Sequence, residues 1–264
     1  MSRLERTAGR ATWLSPGRYE KQAISGGVTL DDLGNVYAGF WFDSPIEGWG
    51  NPSPVGASTD GLVVSFDGSG AARWKRVFGK ADSPTYGSIK DIAWNAGTLA
   101  VVGRTPAGID FGDGKPLGTS GGSDPYVATL DPATGNLQWA RAIGNDHEGD
   151  DDEALNAVTV DAWGQVIVAG RYRKSLVIAG KDLPVPPSEL ATAAFGAKLD
   201  ASGAFVWQKA IVSSNWASAE SISAGPDGNM VAAIALTGTA DLGAGVKPTT
   251  PSANKSLAAV GWTP

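Results

Sequence analysis

The sequence predicts an all-β fold, a four-bladed β-propeller closed by its own N-terminal strand, and three recurring markers carry that expectation. A tryptophan follows a glycine by four residues in four places: Gly9 and Trp13, Gly70 and Trp74, Gly135 and Trp139, Gly203 and Trp207. Successive tryptophans lie 61, 65 and 68 residues apart. A glycine turn enters an apolar strand at Gly34, Gly97, Gly164 and Gly228. A strand ends in aspartate at Asp67, Asp131 and Asp200, while the fourth copy, SLAAVGW to Trp262, lacks the acid. Self-similarity at a near-constant period is the signature of a repeat architecture.

Each repeat reads as four short strands. In the second, IKDIAWN from Ile89 is followed by a glycine turn and TLAVVGR, then by the polar loop GIDFGDGKPLGTSGGSD. PYVATLD comes next, a PATGN turn reverses the chain, and LQWARAI completes the unit. Runs of apolar and β-branched residues between Gly, Asp, Asn and Pro clusters are strand and hairpin signals, and four strands make one blade. The whole of 1–264 is one domain, with blades at about 26–80, 88–145, 154–213 and 218–264. The fourth repeat lacks a Gly-x-x-x-Trp strand, and that signature stands at 8–16, so the N-terminal strand is expected to complete the last blade and satisfy its edge. This predicts a monomeric ring. Two chains joined into an eight-bladed ring are the alternative.

Composition narrows the function classes. The 36 glycines and 16 prolines fit many turns, and a net charge of −6 argues against nucleic acid, which requires a basic face. No apolar run is long enough to span a membrane. Cysteine is absent, which excludes disulfides, thiolate catalysis and Cys-bound zinc. The N-terminal stretch has basic residues but no apolar run behind them, so it does not read as an intact secretory signal.

The runs DDLGNVYAGF, DFGDGKPLGTSGGSDPYVATLDPATGNLQWARAIG and GQVIVAGRYRK resemble the bacterial repeats named for seven-bladed propellers, the SBBP repeats. LDPATGNLQW also resembles the tryptophan-docking motif of quinoprotein propellers, in which an outer-strand Trp wedges between neighbouring blades. The resemblance spans nearly the whole chain. It implies a propeller and an extracellular or cell-surface setting, the alternative being cytoplasmic, and it carries no general activity or quinoprotein active-site residues.

Trp13, Trp74, Trp139 and Trp207 therefore read as structural blade-docking residues. Trp41 and Trp49 flank a Gly-, Pro- and Ser-rich loop that also holds Asp43 and Glu47. Rings beside carboxylates are what a sugar site needs, although Trp41 also fits a strand and Trp49 a blade edge. Trp216, in the loop leading to the fourth inner strand, is a further ligand-binding candidate, and Trp163 sits on a hairpin turn. Trp94 and Trp262 read as packed. The acidic run 145–154 contains Asp150, Asp151, Asp152 and Glu153, whose oxygens suit calcium, but its spacing is not an EF-hand loop and a solvated loop joining blades two and three is the preferred reading. No cofactor is otherwise expected. Lys90, Asp91, Asn156, Glu220 and Ser221 are expected to face the central channel.

The lone histidine, His147, lies within the acidic run, a poor setting for a general base, and no nucleophile-elbow, P-loop or Rossmann motif is present. The leading expectation is a non-enzymatic binding or scaffolding module with an unidentified protein or glycan partner. A lectin-like propeller, a carbohydrate-active or lactone hydrolase and a phage-tail or injection-particle component are the alternatives.

Overall fold

The computed structural model describes residues 15–55, 59–79, 86–106, 108–111, 116–117, 123–144, 153–242, 245–250 and 255–263. They contain no helix and build four large antiparallel sheets and three short two-stranded ones. Sheet one pairs Ala23–Leu30, Val36–Phe42, Asp60–Phe66 and Ala72–Phe78 in chain order. Sheet two pairs Ser88–Asn95, Thr98–Pro106, Ser123–Leu130 and Leu137–Ala142. Sheet three pairs Ala154–Val160, Val166–Arg173, Thr192–Leu199 and Phe205–Val212. Sheet four has three long strands, Trp216–Ala224, Met230–Thr239 and Ser256–Trp262.

The recurrent aspartates close the turns. Asp67 accepts hydrogen bonds from the backbone N–H of Ser69 and Ala71 and from the Ser69 hydroxyl. Asp200 repeats this with Ser202 and Ala204, and Asp131 uses Ala133 and Thr134. A side chain that satisfies its own turn's donors replaces the ladder bonds lost where the chain reverses. At the first hairpins Asp31 and Asp161 do the same, and Asp161 is also held by the Lys198 ammonium at 2.8 Å, both side chains being buried.

Residues two apart along a strand share a face, and three cores fill the spaces between sheets. Tyr37 and Val63 of sheet one meet Ile89, Val101 and Tyr126 of sheet two. Val102 and Val127 of sheet two meet Leu155, Val168 and Phe195 of sheet three. Ile167 and Ala194 of sheet three meet Ile222, Ile234 and Val260 of sheet four. A fourth cluster, with Leu62, Val64 and Phe66, lies on the far face of sheet one beneath Trp49.

The first strands of the sheets pack in series, one on two, two on three and three on four. Among the described residues no comparable packing joins the fourth to the first. Residues 8–14 of the expected closing strand, with Trp13, lie outside the described residues.

Candidate functional site

The sheets are joined by a repeated device on the first strands. Each carries a β-bulge that leaves one residue out of the ladder: Gly26, Lys90, Asn156 and Glu220. A bulge re-aims a side chain and bends its strand. At Gly26 the neighbouring backbone comes so close that a Cβ would lie 2.2 Å from the Ile89 carbonyl oxygen. Beside the second bulge, Asp91 accepts from the Val158 N–H at 2.9 Å, tying sheet two to sheet three. Burial raises the Asp91 carboxyl above its ordinary range, against the lowering effect of the Val158 and Ile92 N–H groups. At the third bulge Asn156 donates to Ser218 Oγ and Ala219 O, both at 3.0 Å, tying sheet three to sheet four.

All five residues expected to face a channel, Lys90, Asp91, Asn156, Glu220 and Ser221, thus lie at or beside these bulges, and two of them open onto a cleft. Lys90 and Asn156 line a cavity of about 420 Å³ at the starts of the first three inner strands. Sheet one brings Trp41 and the adjoining Gln22 and Thr59; the segment entering sheet two brings Tyr86 and Ser88. Arg104 and Arg171 come from the second strands of sheets two and three. Tyr86 is 66% exposed. Three cations from two sheets therefore converge in a chain whose net charge is −6. Arg104 Nε is buried without a hydrogen-bond partner among the described residues. Among the described residues that line the cleft there is no carboxylate and no histidine.

The expected sugar site around Trp41, Asp43, Glu47 and Trp49 divides. Trp41 follows Phe40 on the strand and so points to the opposite face, into the cleft. Trp49 stacks on Phe40 at 5.2 Å, meets Phe66 edge-on at 5.6 Å and donates Nε1 to the Ser15 carbonyl at 3.1 Å. It caps the far face of sheet one. Asp43 is occupied as an acceptor for the Gln22 N–H, and Glu47 pairs across a short ladder with Arg18. Trp216 begins the fourth inner strand, and the Lys255 ammonium sits 4.6 Å over its ring. Asp150, Asp151, Asp152 and His147 lie outside the described residues, whereas Glu153 is buried. Among the described residues no group of three acidic, histidine or cysteine side chains could hold a metal.

Two of the docking tryptophans, Trp74 and Trp139, occupy equivalent places. Trp74 donates Nε1 to the Pro132 carbonyl at 3.0 Å and lies on the Gly135 turn of sheet two. Trp139 donates to Ala201 at 3.0 Å and lies on the Gly203 turn of sheet three. An arginine two residues further on completes each clamp: Arg76 Nε reaches the Gly135 carbonyl at 2.8 Å, and Arg141 Nε the Gly203 carbonyl at 3.1 Å. These arginines were not read from the sequence, although the repeated Trp-x-Arg spacing signals them. Trp207 has Lys209 at that position and packs beside Trp262, ring centroids 6.2 Å apart.

No family model matches the chain, and no curated protein matches it. Among solved structures, the crystal structure of BamB from Moraxella catarrhalis is similar to this chain at 16% identity, covering 79% of this chain and 73% of that one with a TM-score of 0.24. Among the described residues no helix is long and apolar enough to cross a membrane. The chain is an all-β protein of serially packed antiparallel sheets.

Proposed function

We propose that this chain is a non-enzymatic binding module of β-propeller type, and that its ligand is an anionic sugar chain held in the cleft between Trp41, Lys90, Arg104 and Arg171. One observation carries the reading: the packing of three consecutive sheets brings together a ring from the first and three cations from the second and third, in a chain whose net charge is −6. Sugar rings present apolar faces that stack on indole and phenol rings, and guanidinium groups match carboxylate and sulfate oxygens in bidentate fashion. A glycosidase needs a carboxylic acid beside the scissile bond, and the described residues of the cleft lining offer cations and a phenol. The SBBP-like repeats support a bacterial surface or secreted setting.

The test is an array of acidic and neutral glycans probed with wild type, Trp41→Ala and Lys90→Glu, each confirmed as folded by circular dichroism. Wild type should bind uronate- or sulfate-bearing chains in a salt-sensitive way, and both variants should lose that binding. Binding confined to neutral glycans, or acidic binding that survives Lys90→Glu, would remove the proposal.

A further inference from the structure

The bulges fix one register in every sheet, and that register sets equivalent residues in a row across the cleft. In sheet one Trp41 stands opposite Ile24, two residues before the bulged Gly26. In sheet two Arg104 stands opposite Ser88, two before Lys90, and in sheet three Arg171 stands opposite Ala154, two before Asn156. Trp41, Arg104 and Arg171 are therefore the same position of the repeat, each half-buried and each lining the cleft. Sheet four holds Ala235 there, opposite Ser218 and two before the bulged Glu220. The bulged residues make a second row in the same order: Gly26, Lys90, Asn156 and Glu220.

The two rows change character from sheet to sheet. Sheet one presents an indole ring beside a glycine. Sheet two presents two cations, Arg104 and Lys90, and the Ser88 hydroxyl lines the cleft with them. Sheet three presents the Arg171 guanidinium beside the Ala154 methyl. Its bulged Asn156 already donates its side-chain amide to Ser218 Oγ and Ala219 O, which leaves Arg171 as the charged reader on that sheet. Sheet four presents the buried methyl of Ala235 and the exposed carboxylate of Glu220. Charge along the rows thus starts neutral, is most positive at sheet two, weaker at sheet three, and negative at sheet four.

We propose, on the reading of the cleft as an anionic-glycan site, that it takes the chain in one direction: a ring stacked on Trp41, a first anionic group on Arg104 and Lys90, and a second on Arg171. Each sheet then supplies one subsite. The ring on Trp41 needs no charge, because stacking on indole is an apolar contact. A guanidinium holds a carboxylate through two parallel hydrogen bonds, and Lys90 adds a second cation on sheet two. A chain with a single anionic group therefore places it on sheet two, and Arg171 gains its anion only when a second charged group follows. A longer anionic chain meets Glu220 next, and like charges brought together oppose binding.

Calorimetry with two oligogalacturonates of equal length, long enough to span the four sheets, tests this at low salt. One has every carboxylate free; the other is methyl-esterified at all but one internal unit. Wild type should bind both, the fully charged chain about tenfold or more tighter, the worth of one charge-assisted contact. On the singly charged chain Arg104→Gln should weaken binding about tenfold more than Arg171→Gln does, whereas on the fully charged chain each should weaken it about tenfold. Glu220→Lys, on an exposed bulge, should tighten the fully charged chain more than the singly charged one. Equal wild-type affinity for the two chains, or equal losses from the two arginine variants on the singly charged chain, overturns the directional arrangement and leaves the cleft as the site. So does a Glu220→Lys protein with wild-type affinity for both. Circular dichroism checks each variant; should an arginine variant fail to fold, the wild-type comparison and Glu220→Lys still decide. No binding of either chain by wild type removes the functional reading itself, and the direction with it.

Discussion

Gly203→Ala tests the docking of one sheet on the next at a single atom. Gly203 has φ +77°, and a Cβ there would lie 2.7 Å from Cδ2 of the Trp139 ring. Two costs combine: left-handed backbone for a residue with a Cβ, about 1 kcal/mol, and overpacking against a fixed ring, about 1–3 kcal/mol. The substitution should therefore destabilise by about 2–4 kcal/mol. Gly97 separates the two costs, since it has φ +81° and a Cβ there would meet nothing within 4 Å, so Gly97→Ala should cost only about 1 kcal/mol. Trp139→Ala alone should cost about 3–5 kcal/mol, and in that background Gly203→Ala should fall to the Gly97 value. Urea unfolding of the four variants and wild type gives a coupling energy expected at about 1–3 kcal/mol. Equal costs for Gly203→Ala and Gly97→Ala, or additive single and double variants, would refute the reasoning that the ring rests on that glycine.

Three further outcomes are expected. The hydrogen bonds from Ser69, Thr134 and Ser202 hold Asp67, Asp131 and Asp200 below the ordinary carboxylate range. Their stabilising effect is complete above the unfolded-state value near pH 4 and is lost as pH falls through the lower folded values; unfolding midpoints should drop there, less steeply in Asp131→Asn. Burial raises Asp91, so its charge is a cost that develops as pH rises through the unfolded value to the folded one; the wild-type unfolding midpoint should fall across that window by more than the midpoint of Asp91→Asn, which gains no charge there. Lys198→Met should lose about 3–5 kcal/mol because it leaves the buried Asp161 unpaired, and thermal unfolding should show partial recovery in Lys198→Met/Asp161→Asn.

The repeated sheets were legible because their signals are local. An aspartate that satisfies its own turn, as Asp67 and Asp200 do, needs no knowledge of the rest of the chain, and Gly-x-x-x-Trp located Trp74 and Trp139 at the sheet junctions. The bulges were half legible: Lys90 and Asn156 were expected to face inward, but the extra residue that aims them leaves no local mark in composition. The cleft was largely hidden, because Lys90, Arg104 and Arg171 are brought together only by the packing of one sheet on another. Trp41 on its strand and Trp49 folded back over a sheet were also legible, since both readings need only the local sequence. Strand alternation sends Trp41 into the cleft, while Trp49, with φ +53°, turns back over Phe40.

Calorimetric titration of an oligogalacturonate into wild type and Lys90→Glu, at low and at high salt, bears most directly on the binding claim. Saturable binding by wild type that weakens with salt and disappears in Lys90→Glu is the predicted result. No heat of binding to wild type at low salt, or equal binding by both proteins, contradicts it.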